Sequence, residues 1–280
     1  MLDAHCHFWS LGRGDYDWLE TGGPGLDPIR RDFGLADYPG GRPVIAVQAA
    51  PSVAETRFLL DLARGSDSIR GVVGWVDLAA AGAADAVRDL AADPLLRGLR
   101  PMLQDIADTD WLVNVARPEA LAAMAGAGLV FDALVTERHL PMLARFARAN
   151  ADLAIVIDHA AKPQPGPRDG WRAGMRTLAR DPRIHCKLSG LLTELSPEER
   201  RDPLPALQGT LADLLDWFGP DRLIWGSDWP VLRMAGSYPG WWEATASLLA
   251  PVSPEARAGI LGGNAARVYL SSRGRPASRK

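Results

Sequence analysis

The chain has 280 residues, of which 47% are hydrophobic and 23% charged, and its formal net charge is −3. These proportions are typical of a globular protein. Acidic and basic residues are mixed along the whole chain, so there is no basic surface of the kind that nucleic acid or an anionic membrane requires. We therefore expect a small molecule as the partner, and neither nucleic acid nor a membrane. The oligomeric state is not predicted.

The sequence favours a reducing compartment. It contains only two cysteines, Cys6 and Cys186, whereas small extracellular domains usually carry a framework of disulfides. Asp3 and His5 interrupt the first apolar residues, and no apolar run reaches the roughly 18 residues of a membrane span. We predict a cytoplasmic protein.

Eight short apolar runs alternate with alanine- and leucine-rich segments of helical spacing, such as "VAETRFLLDLARG" and "LPALQGTLADLLDWFG". The runs cover residues 2–8, 43–49, 69–78, 96–103, 129–135, 153–158, 184–188 and 222–225. This alternation predicts an α/β protein with parallel strands covered by helices. Eight units favour a single-domain (β/α)8 TIM barrel over an open doubly wound sheet, and no Gly-x-Gly-x-x-Gly motif follows the first strand.

Two segments fall outside the repeating pattern. Residues 10–42 are too long for an ordinary connection and predict an excursion over the end of the first strand, with a role that the sequence does not reveal. We expect the barrel to occupy residues 1–270 and a disordered polar tail to occupy 271–280.

Four polar residues follow predicted strands at the end where TIM-barrel enzymes hold their active sites. His5 and His7 share one face of the first strand, because side chains at i and i+2 point the same way. His159 follows "LAIVID" of the sixth strand, and Asp228 follows "RLIWGS" of the eighth. Strands one and eight are neighbours in a closed barrel. The four should therefore meet, as ligands of a divalent metal or as a metal-free acid–base cluster.

Four further residues are candidates for substrate binding. Arg100 ends the fourth predicted strand and can hold a substrate oxygen or carboxylate through paired donors. Lys187 and Gln48 are candidate ligands of carbonyl or hydroxyl groups, and Trp229 can stack on a sugar ring. The two remaining histidines are interpreted as structural: His139 and His185.

Several motifs, in this order along nearly the whole chain, resemble the amidohydrolase superfamily and specifically its sugar-lactonase branch. They are "DAHCHFW", "YDWL", "GLRPMLQDI", "VIDHAAKP", "CKLSGL", "WGSDWPV" and "GNAARVY". The branch contains L-fuconolactonases and resembles 2-pyrone-4,6-dicarboxylate lactonase. The resemblance implies a TIM-barrel hydrolase in which His5 and His7 are the first-strand pair, His159 the sixth-strand histidine and Asp228 the acid and base.

The sequence departs from the superfamily pattern at one position that bears on metal binding. Better-known members use a fifth-strand histidine, whereas the fifth strand here reads "LVFDALV". A binuclear site is therefore not expected, while one divalent metal, with zinc as the first choice, and metal-independent catalysis both stay open.

The leading hypothesis is a hydrolase that opens a sugar-acid lactone (an aldonolactone). Water would attack the lactone carbonyl, and Asp228 would take the water proton and return it to the leaving alkoxide. The alternatives are another hydrolase or a decarboxylase acting on a small carboxylated substrate, and a ligand-binding barrel without catalysis. The sequence predicts neither the ring size nor the stereochemistry of the lactone.

Overall fold

Eight short parallel strands form the centre of the molecule. In the computed structural model, which describes residues 1–271, the strands pair in sequence order from β1 to β8. Every pairing along this sheet is parallel. The strands are β1 Asp3–Cys6, β2 Val44–Val47, β3 Ile69–Gly74, β4 Leu96–Leu99, β5 Val130–Ala133, β6 Ile155–Ile157, β7 Ile184–Leu188 and β8 Leu223–Trp225.

The sheet closes where the segment after β8 meets β1. The Asp228 N–H donates to the His5 carbonyl at 2.8 Å, and the His7 N–H donates to the Trp229 carbonyl at 2.7 Å. Cys6 and Trp229 also form an isolated parallel bridge. The predicted (β/α)8 TIM barrel in a single domain is confirmed.

Helices surround the barrel in the connections between strands. They are α1 Asp17–Thr21, α2 Val53–Arg64, α3 Ala83–Ala91, α4 Trp111–Val115, α5 Pro118–Gly126, α6 Leu140–Ala149, α7 Asp169–Ala179, α8 Leu204–Phe218, α9 Tyr238–Leu248 and α10 Pro254–Ala258. α2 illustrates the local rules: the Ser52 hydroxyl caps it by accepting the Glu55 N–H at 2.9 Å, and its apolar side, including Leu59 and Leu60, is buried.

Alternate strand residues divide the core into two layers. One layer lies between the strands and the helices, and the other is a cluster that contains Leu2, Ala4, Ile45, Val47, Val73, Val130, Val156 and Ile224. Tyr269, from the C-terminal turn Ala266–Leu270, packs in this second cluster. The C-terminal turn therefore contributes a large side chain to this second cluster.

Residues 10–42 form an excursion, as predicted. It contains α1 and several short helical turns, and it packs back on the residues that follow β1 and β2. The Trp9 indole donates to the Arg31 carbonyl at 2.7 Å, and the Trp18 indole donates to the Ala49 carbonyl at 2.8 Å. These contacts hold Trp18 at the mouth of the barrel.

The remaining expectations concern membrane spans, the two cysteines and the C-terminal tail. No helix within residues 1–271 is both long and apolar enough to cross a membrane. Cys6 and Cys186 are buried free thiols. The predicted tail at 271–280, apart from Ser271, lies outside the described residues.

Candidate active site

The four predicted residues meet at the barrel mouth around one carboxylate oxygen. Asp228 Oδ1 lies 3.2 Å from His7 Nε2, 3.7 Å from His5 Nε2 and 4.0 Å from His159 Nε2. All four side chains are at least nine-tenths buried. Residues from β1 and from the segments after β1, β6 and β8 are thus brought together over more than two hundred positions of sequence.

Neighbouring groups orient the imidazoles. His7 Nδ1 lies 2.8 Å from the Val47 carbonyl, to which it donates, and His159 Nδ1 lies 3.0 Å from the Ser189 hydroxyl. These contacts direct the Nε2 atom of each ring toward Asp228. Hydrogen bonds of this kind fix the tautomer and the orientation of histidines in metal and catalytic sites.

The backbone at this site adopts a rare conformation. Asp228 has φ 58°, and the run from His159 to Lys162 has φ values of 50–57°. Left-handed backbone costs roughly 1–2 kcal/mol per residue for side chains other than glycine. Gly190, at φ 61°, lies against the cluster, and a Cβ there would be 2.5 Å from His159 Nδ1. Conformations of this kind gather at functional sites, where the surrounding structure holds them in place.

A buried charge network lies beneath the cluster. Lys187 Nζ is 2.5 Å from Asp132 Oδ2, 3.0 Å from Asp158 Oδ1 and 3.2 Å from His5 Nδ1. The Tyr269 hydroxyl contacts both oxygens of Asp132, at 2.8 and 2.9 Å. The sequence predicted neither acid, although a carboxylate inside the apolar run "LVFDALV" and another before His159 were visible signals.

Electrostatics keep this network charged. Burial opposes the charge of Lys187, but Asp132 and Asp158 outweigh it and raise the lysine pKa. Burial also opposes ionisation of Asp158, yet Lys187 and His5 hold its pKa well below the usual range. For Asp132 burial prevails and raises the pKa to about 6.

The mouth cluster has the protonation states that a base or a ligand set needs. Burial would raise the pKa of Asp228, but His159 and the other imidazoles around it hold that pKa below the usual range. Burial, reinforced by the charge of Lys187, lowers the pKa of His5, and burial lowers that of His159. At neutral pH the carboxylate is therefore ionised, and these two rings are neutral.

A cavity of about 380 Å³ opens above the cluster. His7, His159 and Asp228 line it together with Arg100, which directly follows β4. Apolar side chains complete the wall: Met102, Leu134, Val231 and Met234. A polar floor with an apolar wall suits a small polar ligand.

The other three predicted substrate ligands do not line this cavity. Gln48 is buried and donates to the Arg100 carbonyl at 2.8 Å, so it supports that residue instead. Lys187 lies in the network below, where the two carboxylates take its charge. Trp229 is buried edge-on against the Tyr38 ring, at 5.6 Å between centroids. Direct substrate contact is not supported for these three, because their side chains are buried in contacts outside the cavity.

Sequence reasoning missed several residues that line the cavity. Lys162 and Glu194 form an ion pair at 3.7 Å across it, and Trp18 and Gln104 contribute further wall. Lys162 stands in the quoted motif "VIDHAAKP", which was the available signal. The histidines interpreted as structural lie elsewhere: His139 contacts Thr136, and His185 contacts the Arg183 carbonyl.

The residues fit one divalent metal ion. Donor atoms of His5, His7 and Asp228 all lie within 4.8 Å of one another. His7 Nδ1 donates to the Val47 carbonyl, and its Nε2 faces an Asp228 oxygen at 3.2 Å. A proton or a cation between these two atoms satisfies both of them. Imidazole nitrogen and carboxylate oxygen are ligands that zinc accepts.

The amidohydrolase family model matches residues 2–270. The chain belongs to the amidohydrolase family. It is 44% identical to a Burkholderia ambifaria protein named L-fucono-1,5-lactonase, over 97% of this chain and 96% of that protein. It is 37% identical to a Burkholderia multivorans protein of the same name, over 96% and 95% of the two chains.

A crystal structure of a Burkholderia multivorans amidohydrolase with bound zinc is similar throughout, with a TM-score of 0.84 and 36% identity. The match covers 96% of this chain and 98% of that one. The resemblance drawn from the motifs is confirmed, and so is the prediction of a hydrolase.

Proposed function

We propose that this amidohydrolase opens a sugar-acid lactone, with Asp228 as general base and acid. The observation that carries the proposal is the ionised, buried Asp228 carboxylate, which faces three imidazoles at the polar floor of the cavity. The names of the two Burkholderia relatives support an aldono-1,5-lactone as the substrate.

The reaction follows from the positions of the charges. Water attacks the lactone carbonyl carbon while Asp228 accepts one of its protons, and a tetrahedral oxyanion forms. Arg100, which lines the cavity, attracts that oxyanion and a neighbouring substrate oxygen. The bond from the carbonyl carbon to the ring oxygen then breaks, and Asp228 returns the proton to the departing alkoxide. The product is the open-chain hydroxy acid.

The residues that would hold one divalent ion, with zinc as the first choice, are His5, His7, His159 and Asp228. Such an ion supplies Lewis acidity for the carbonyl or for water. Without an ion, His159 would donate its Nε2–H to the oxyanion while its Nδ1 accepts from the Ser189 hydroxyl.

The test is a pH-indicator assay of aldonolactones, including L-fucono-, L-rhamnono- and D-galactonolactones. The protein is assayed as purified, after chelation and after zinc is restored, with metal content measured each time. We expect turnover of at least one 1,5-lactone. Loss of turnover with the metal assigns the metal-dependent route, and full turnover without it assigns the metal-free route. No turnover in any of the three preparations overturns the proposal.

We also propose that the enzyme acts in the cytoplasm, as the sequence predicts. Two buried free thiols, Cys6 and Cys186, support a reducing compartment.

A further inference from the structure

A second and larger cavity, of about 580 Å³, lies beside the catalytic cavity. Trp18, Met102 and Asp105 line both, so the two are contiguous. The second cavity stands over the ends of β2, β3 and β4, and residues of the 10–42 excursion form its outer wall. Its volume falls within the range of roughly 300–1,000 Å³ that is usual for ligand pockets.

Tryptophan dominates the apolar lining of this cavity. Trp18, Trp75 and Trp111 come from three separate segments, and each remains partly exposed. The indole N–H groups of Trp75 and Trp111 have no acceptor within residues 1–271, whereas that of Trp18 donates to the Ala49 carbonyl. Half-exposed indoles offer an apolar face and a free donor to a ligand.

The polar lining accepts hydrogen bonds and carries negative charge. It includes the carboxylates of Asp15, Asp17, Asp77 and Asp105 and, among the described residues, neither lysine nor arginine nor histidine. Arg13, outside the lining, pairs with Asp15, and the other three carboxylates have no ion pair with a described residue. Carboxylates accept hydrogen bonds from hydroxyl groups and repel anions. An anionic ligand is therefore disfavoured. A cation would use the carboxylates and the indole faces but not the free N–H groups of Trp75 and Trp111, whereas a ligand with several hydroxyl groups uses all three.

We propose that the second cavity is a subsite for a neutral sugar ring attached to the lactone, so that the substrates include glycosylated aldonolactones. Sugar hydroxyls donate to the carboxylates and accept from the indoles, while the C–H face of the ring packs on tryptophan. The inference rests on the proposed function, because the lactone ring is the part of the substrate that reacts at Asp228. The attached sugar does not react and contacts the residues of the second cavity.

The experiment compares the best aldonolactone of the assay with its glycosylated forms, one linkage position at a time. In the wild type we expect kcat/KM for at least one glycosylated form to exceed that of the parent by about 3- to 10-fold, the range of a well-placed aromatic contact. Trp111→Ala and Trp75→Ala should abolish this preference and leave kcat/KM for the parent unchanged. Trp217→Ala is the matched control, since Trp217 is a partly buried tryptophan on α8 that lines neither cavity.

The outcomes separate the two proposals. Turnover of the parent with no preference for any glycosylated form overturns the subsite alone, as does an equal loss on both substrates in the tryptophan variants. If no lactone is hydrolysed, the proposed function fails, and the subsite is judged by calorimetric titration of the glycosylated lactones. Saturable binding that Trp111→Ala removes supports it; absence of binding, or binding of tetramethylammonium in place of sugar, contradicts it.

Discussion

At the scale of single residues, the site consists of one carboxylate and the groups that set its charge. Asp228 is ionised although buried, because the imidazoles of His5, His7 and His159 face it. Asp228 also lines the cavity, so a bound water can reach this ionised carboxylate. The position and the charge of Asp228 therefore both favour its accepting a proton from the attacking water.

Replacing Asp228 by Asn tests the base directly. An amide cannot accept the water proton, so we expect kcat to fall by about 10²- to 10⁴-fold. The measurement is kcat at saturating lactone, with metal content and the unfolding midpoint measured alongside. Asp213→Asn, on the outer surface of α8 where Asp213 pairs with Arg172, should keep full activity. Near wild-type turnover by Asp228→Asn would refute the assignment.

Gly190→Ala tests how tightly the cluster is packed. The added Cβ would lie 2.5 Å from His159 Nδ1 and 3.0 Å from Asp228 Oδ2, and φ at this position is 61°. A displacement of about 1 Å can cost roughly 100-fold in rate, so we expect kcat/KM to fall by about 10- to 100-fold. Gly209→Ala is the control, because nothing lies within 4 Å of a Cβ there. Equal activity of the two variants would show that His159 does not need its observed position.

At the scale of elements, a buried carboxylate joins α2 to the excursion. Glu55, in the first turn of α2, accepts from the Tyr16 hydroxyl at 2.6 Å and from the Ala49 N–H at 3.3 Å, with Arg13 3.9 Å away. Burial nevertheless raises its pKa to about 7. The excursion that carries Trp18 is thus fastened by a group that titrates near neutral pH.

Glu55→Gln should change how stability depends on pH. The folded chain holds the Glu55 proton up to about pH 7, while the pKa of an unperturbed glutamate is 4.5, so folding is linked to proton uptake between these values. The contribution of Glu55 to stability is therefore present below pH 4.5 and is lost as pH rises to 7. We expect the free energy of unfolding of Glu55→Gln, relative to wild type, to rise across that window. Urea titrations at pH 5 and 7 measure it, and parallel pH dependences would contradict the expectation.

At the scale of the whole molecule, the C-terminal turn reaches the catalytic end through the barrel interior. Tyr269 contacts Asp132, Asp132 pairs with Lys187, and Lys187 contacts His5. The chain thereby joins its last described turn to its first strand by way of β5 and β7. Each member is buried, so removing one leaves its partner without compensation.

Tyr269→Phe should weaken this link without creating a large cavity. Loss of the hydroxyl from a buried carboxylate is expected to lower the free energy of unfolding by about 1–3 kcal/mol. Tyr238→Phe, which removes a partly buried contact with the Tyr38 hydroxyl, should cost less, about 0.5–1.5 kcal/mol. Urea denaturation of both variants measures the difference. Equal losses would mean that the pairing with Asp132 adds nothing beyond an ordinary hydrogen bond.

Local sequence patterns determined the barrel and the four residues at its mouth. Apolar runs and helical spacing depend on neighbouring residues, and the ends of parallel strands in a closed barrel meet at one place whatever their separation in sequence. His5, His7, His159 and Asp228 could therefore be found together from the sequence. Arg100 could be placed at the same mouth for the same reason.

Only the tertiary structure decided which side chains face the ligand and which lie beneath it. Gln48, Lys187 and Trp229 stand at or near strand ends like Arg100, yet their side chains are buried outside the cavity. The same holds for the buried network and the tryptophan-lined cavity, whose members come from several segments. Such contacts depend on the directions of side chains from separate elements, which no local pattern specifies.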